Sequence, residues 1–203
     1  MSIVREGLPF ILVPLVLSIV TAILGLWYVG LFFLVVAAFM AFFFRDPQRV
    51  PPADPKLIVA PADGRVTRIE SPSEPGAPTV VSIFLSPLDV HINRSPIAGR
   101  ITNVVYTPGK FLMATNEMAS LVNEQNALTI EGEITVVCKQ IAGILARRIV
   151  CWKKIGDSLG LGERFGLIKF SSRTDVILPP NVSITVAEGQ RVRGGITVIG
   201  RIS

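Results

Sequence analysis

Residues Gly156 to Phe170 read GDSLGLGERFGLIKF, and Gly189 to Ile202 read GQRVRGGITVIGRI. The two stretches lie 33 residues apart and share one pattern: glycine, polar, any residue, apolar, two residues, glycine, then a strand-like run. Alternation of apolar and polar residues after a glycine turn predicts a β element, used here twice. Working outward, further short β-type runs are divided by Gly, Pro and Asn: RVTRIES, TVVSIFLS, ITNVVYTPG, NALTIEGEITVVCKQIAG, ARRIVCWK, TDVILPP and SITVAEG. Such spacing predicts a mainly β, sandwich or barrel-like domain. The one helical candidate within that domain lies around Asn116–Asn126.

The repeated half-motif resembles those of lipoyl- and biotinyl-carrier domains. Those carriers need a lysine at an exposed hairpin tip between the halves. Here the intervening segment runs Ser171-Ser172-Arg173-Thr174-Asp175. The echo therefore supports the fold and argues against a carrier function.

Half of the 203 residues are hydrophobic, and the mean hydropathy of +0.55 is high for a soluble chain. The excess is concentrated. From Phe10 to Phe44 no residue is charged, a run too long for one upright span of about 20 residues. It fits a helical hairpin bending between Gly25 and Gly30, with Trp27 and Tyr28 suited to a membrane interface. Arg5, Arg45 and Arg49 then flank the hairpin on one side, as cytoplasmic flanks do. A cleaved signal peptide fits less well, because the apolar part is too long and no small-residue cleavage site follows. Four prolines between Pro47 and Pro55 read as a stiff joint. The expected organisation is a membrane anchor over 1–45, a proline-rich linker over 46–56 and a β domain over 57–203.

The net charge of +5 comes without the aromatic-and-basic stacking pattern of a nucleic-acid surface. Beside an anchor it reads as attraction to anionic lipid. Arg147, Arg148, Lys153 and Lys154 form the densest basic cluster, which is equally a solvated face. Cys138 and Cys151 sit in apolar runs with no metal-ligand spacing, so they read as buried reduced thiols and no metal is expected.

Three polar interruptions carry chemistry. His91 is the one histidine; a lone histidine is more often structural, yet this one stands among Asp89, Asn93 and Arg94. Asp63, in VAPADGRV, reads locally as a turn residue. Ser171 and Ser172 break a run that otherwise alternates like a buried strand. Together they supply a carboxylate, an imidazole and a hydroxyl, the parts of an activated nucleophile.

The stretches FFRDPQR, PADGRV, FLSPLDVHINRSPIAGRI, YTPGKFLMA, QIAGILARRIVCW and GDSLGLGERFGLIKFSSRTDVILP occur together in the short bacterial and archaeal type of phosphatidylserine decarboxylase, which this chain resembles from about Phe43 to its C-terminus. The resemblance implies a membrane-anchored proenzyme that cuts itself between Ser171 and Ser172. Ser172 would become a covalent pyruvoyl cofactor, giving a large β chain (1–171) and a small α chain (172–203), with a dimer of these left open. It implies decarboxylation of phosphatidylserine to phosphatidylethanolamine through a Schiff base with the pyruvoyl group, on the cytoplasmic side of the cell membrane. Asp63 and His91 stand at the motifs of the relay that activates the serine. Two positions depart from the family pattern. Ser171 stands where glycine is usual; glycine tolerates conformations that serine disfavours, so slower processing is the expectation. Arg94 stands where longer members carry a second histidine, which leaves the exact role of His91 open. The competing reading is a non-enzymatic, membrane-tethered β domain that binds a partner.

Overall fold

The structure, a computed structural model, describes residues 2–70, 74, 76–113, 118–144, 148–170 and 172–203. The chain divides into two compact units, Met1–Gln48 and Arg49–Ser203.

In the first unit strand β1 (Ser2–Ile3) precedes helices α1 (Leu8–Ile23) and α2 (Trp27–Phe43), and strand β2 (Arg45–Asp46) follows. Together with the turn before α1, Arg5–Ile23 gives 19 residues of mean hydropathy 2.1, long and apolar enough to cross a membrane; α2 is apolar but shorter. The helices pack as a hairpin, and Ser18 Oγ donates to the Gly30 carbonyl across it at 2.8 Å. Small residues at such a contact let two helices approach closely. Strands β1 and β2 pair antiparallel, Ser2 opposite Asp46. Both ends of the hairpin, with Arg5 and Arg45, therefore lie at the same end of it.

The second unit is mainly β, as the sequence predicts. Its strands are β3 (Leu57–Val59), β4 (Gly64–Glu70), β5 (Thr79–Leu85), β6 (Ile92–Arg94), β7 (Gly99–Thr107), β8 (Gln125–Glu131), β9 (Thr135–Ala142), β10 (Ile149–Cys151), β11 (Ser158–Leu159), β12 (Arg164–Ile168), β13 (Ser172–Leu178), β14 (Val182–Ile184), β15 (Arg191–Val192) and β16 (Val198–Ile202). The one helix here among the described residues, α3 (Ala119–Val122), falls inside the predicted helical stretch. An eight-stranded sheet runs β11-β7-β8-β9-β13-β5-β4-β15, flanked by the three-stranded sheets β10-β12-β6 and β14-β16-β3.

This order is a palindrome about the β9–β13 pair. Strands β6 to β12 form one half; β3 to β5 together with β13 to β16 form the other, with equivalent pairings in each. The sequence echo is the C-terminal part of both halves: β11 and β15 begin 33 residues apart, at Ser158 and Arg191. One half is thus inserted into the other between β5 and β13. Two connections join the halves, one running from β5 to β6 and the other from β12 to β13.

Inward residues of both halves meet in one core that includes Val66, Ile83, Leu128, Val136, Phe165, Val176 and Ile199. The halves also touch through the glycines that end the repeated turns. Gly162 (φ +69°) and Gly195 (φ +75°) face each other, and a Cβ on Gly162 would lie 3.2 Å from the Gly195 carbonyl oxygen. Both positions combine a left-handed backbone with close approach, so both require glycine. Gly162→Ala is expected to lower unfolding free energy by about 1–2 kcal/mol, read from the denaturant midpoint; Gly160→Ala, where a Cβ would meet nothing nearer than the Glu163 carboxylate at 3.6 Å, is the control and is expected to change it little.

Candidate active site

Strand β13 is paired along both of its edges. It pairs with β5 from Ser172↔Leu85 to Leu178↔Thr79, and with β9 from Ser172↔Ala142 to Ile177↔Val137. The period of two puts Ser172, Thr174, Val176 and Leu178 on one face, of which Val176 and Leu178 belong to the core. Arg173 and Asp175 lie on the other face, where Arg173 Nε and Nη2 donate to the two Asp175 carboxylate oxygens at 2.7 and 2.8 Å. That alternation accounts for a charged pair beside a buried serine: each occupies its own face.

Ser172 is fully buried, and its hydroxyl has no hydrogen-bond partner among the described residues. A buried hydroxyl left unbonded costs about 1–3 kcal/mol. Two residues earlier, Phe170 has φ +63°, the one positive φ at a non-glycine position among the described residues. For a bulky side chain this is a strained conformation, of the kind that collects at functional sites. Ser171, and with it the expected scissile bond, lies outside the described residues.

His91 closes the other connection between the halves, the one from β5 to β6. That loop is tied by Asp89, whose Oδ2 accepts from the Ser86 amide (2.8 Å) and hydroxyl (2.7 Å). The His91 ring is buried, and its Nδ1 lies 3.0 Å from the Asp89 carbonyl oxygen. A carbonyl only accepts, so Nδ1 carries the proton, and Nε2 of the neutral ring is the basic nitrogen.

A short run of contacts joins His91 to Ser172. The Ile168 amide donates to the His91 carbonyl (3.2 Å), Ile168 packs on Ala142, and Ala142 pairs with Ser172. One rung along, Asn93 Nδ2 donates to Thr174 Oγ1 (2.9 Å). Strands β6 and β13 therefore run in the same sense across the core, with His91 and Ser172 at one level and Asn93 and Thr174 at the next. These contacts align the backbone of His91 with that of Ser172 across the layers.

Asp63 stands at the turn before β4. Its Oδ2 accepts from Arg49 Nη2 and its Oδ1 from the Gly194 amide, both at 2.8 Å. Burial holds its carboxyl above the usual range, opposed by Arg49 and the Gly194 amide, while the nearby Asp89 charge raises it further. Asp63 thus lies within electrostatic reach of the loop that carries His91, but its hydrogen bonds go elsewhere. Arg94 is buried and donates through Nη1 to the Gly162 carbonyl (3.2 Å).

Cys138 is buried, and burial pushes its thiol far up; Cys151 is only half-buried, a departure from the expected pair of buried thiols, and its thiol is also raised by burial. Neither is a ready thiolate. Among the described residues no three His, Cys, Asp or Glu side chains gather to hold a metal. Sequence reasoning missed Arg49, hidden in the proline-rich joint, and Gln140. A signal for Gln140 existed: on β9 it shares the inward face with Val136 and Cys138, where an amide is out of place.

A family model described as phosphatidylserine decarboxylase matches residues 36–200. The chain belongs to the phosphatidylserine decarboxylase family. Relatives named phosphatidylserine decarboxylase proenzyme include those of Geotalea uraniireducens (44% identical, covering 98% of this chain and 95% of the relative) and Symbiobacterium thermophilum (47%, 98% and 95%). A third, from Nitratidesulfovibrio vulgaris, is 44% identical and covers 100% of this chain and 95% of its own. The match to phosphatidylserine decarboxylases spans Asp63, His91 and Ser172 alike.

The Arg49–Asp63 pair has side chains only 10% and 16% exposed. Removing either partner leaves the other charge poorly solvated, so Arg49→Met and Asp63→Asn are each expected to cost about 2 kcal/mol of stability. The double variant Arg49→Met/Asp63→Asn is expected to cost less than the two single losses added together, as read by denaturant unfolding.

Proposed function

We propose that this chain is a self-cleaving proenzyme whose mature form decarboxylates phosphatidylserine at a membrane surface. The observation that carries the reading is Ser172: a buried hydroxyl with no hydrogen-bond partner among the described residues, opening a central strand at the level of His91, in a chain of this family.

In the proposed cut, His91 takes the Ser172 hydroxyl proton as the oxygen attacks the Ser171 carbonyl carbon. As the C–O bond forms the C–N bond breaks, His91 passes the proton on to the departing Ser172 nitrogen, and the peptide becomes an ester with a free amine. Loss of the Ser172 α-proton and expulsion of the Ser171 carboxylate leave dehydroalanine at residue 172. Addition of water and departure of ammonia give the pyruvoyl end. The strain at Phe170 favours movement of the backbone at this point.

The site fits that group. It is small, it replaces a hydroxyl that has no hydrogen-bond partner among the described residues, and its carbonyls need only donors. When present, it supplies the electron sink for the carbanion left as carbon dioxide departs. The chain's own residues do the rest. Strands β5 and β9 hold the new chain end in place from both edges. The buried surroundings strip water from a reacting carboxylate. His91 is positioned to return a proton to the substrate carbon.

The apolar hairpin anchors the chain in the bilayer, with Arg5 and Arg45 on the cytoplasmic side, and phosphatidylserine is drawn from that membrane. Chains 1–171 and 172–203 stay associated after the cut.

A denaturing gel of the parent is expected to show both pieces, while a native gel shows one species. Ser172→Ala is expected to remain a single chain and release no carbon dioxide from phosphatidylserine vesicles; decarboxylation by this variant would overturn the proposal. His91→Ala is expected to slow cutting by about 100-fold or more, the usual worth of a general base, and Ser171→Gly to cut at least as fast as the parent.

A further inference from the structure

Four buried side chains outside the proposed chemistry form one chain of hydrogen bonds beside it. Asn126 Nδ2 donates to Gln140 Oε1 (3.0 Å), Gln140 Nε2 donates to Asn93 Oδ1 (2.9 Å), and Asn93 Nδ2 donates to Thr174 Oγ1 (2.9 Å). All four residues are buried. Their donors and acceptors point one way along the run, so each amide orientation is fixed by its neighbour. In an apolar core such a run is expensive unless fully bonded, and when bonded it specifies one geometry.

The placement of this run matters more than its stability. It links β8, β9, β6 and β13, and thereby both halves of the fold. Its last bond, Asn93 to Thr174, lies one rung from His91 and Ser172, two residues along each strand. Neither His91 nor Ser172 is held by the other strand through a ladder, because β6 pairs with β12 while β13 pairs with β5 and β9. The spacing between imidazole and hydroxyl is therefore set across layers, by side chains. Gly166 on β12 clears the space: a Cβ there would lie 2.3 Å from the Val150 carbonyl oxygen and 3.1 Å from Gln140 Nε2.

We propose that Thr174, Asn93 and Gln140 are positioning residues that fix His91 against Ser172 for self-cleavage. All three lie clear of the bond between residues 171 and 172, so the clamp outlasts the cut and keeps the new chain end in register beside His91. The inference rests on Ser172 being the point of cutting.

The test follows cutting over time on denaturing gels, with each full-length variant's melting temperature measured alongside. Thr174→Val keeps the side-chain shape and removes the acceptor; it is expected to cut at least tenfold more slowly than the parent. Thr174→Ser restores the oxygen without the methyl and is expected to cut within twofold of the parent. Should Thr174→Val fail to fold, Gln140→Glu serves in its place: its carboxylate still accepts from Asn126 but cannot donate to Asn93, and the same slowing is expected. Cutting by the folded replacement at the parent's rate overturns the inference, as does Thr174→Ser cutting as slowly as Thr174→Val. A parent that stays whole refutes the proposed function itself, and the inference with it.

Discussion

Strand β13 is held along both edges, by β5 and by β9, and the rest of the site depends on that arrangement. A strand so placed loses little when its first peptide bond is broken, because its ladders, its core residues Val176 and Leu178 and the Arg173–Asp175 pair all lie beyond the break. A chain end made there is an end in the covalent sense only. It stays buried and in register, as a reactive group built from the chain has to be.

The duplicated architecture explains why the site is where it is. One half is inserted into the other, and just two connections pass between them. His91 ends one and Ser172 ends the other. In the β8–β9 pair, the counterpart of β5–β13, the strands are joined directly by a tight turn in which the Gly132 amide donates to the Ile134 carbonyl. In β5–β13 the turn has been replaced by a whole half-domain. The junction is therefore a natural place for strain, seen at Phe170, and the proposed cut there would leave together the strands that belong together.

Much of this was legible in the sequence. The glycine-framed echo gave the β class and the duplication, since Gly162 and Gly195 are needed at corresponding turns. The apolar run gave the helical hairpin, and the serine pair stood out because hydroxyls interrupted a buried alternation. Other features were not legible. Strand β6 has three residues, Ile92 to Arg94, all buried; its polar letters read as a loop because hydrogen bonds across layers, rather than alternation, make Asn93 acceptable inside. The hydrogen bonds of Asp63 go to Arg49 and Gly194, partners that its local sequence does not announce. Local sequence carries no trace of such pairings.

The central claim is that residue 172 becomes a ketone at a new chain end. Intact-mass measurement of the purified protein, with and without borohydride, tests it most directly. The account predicts a 32-residue chain beginning at residue 172, lighter by one ammonia than that peptide and gaining two hydrogens on reduction. A single 203-residue chain, or a small chain that begins with an unmodified serine and ignores borohydride, contradicts it.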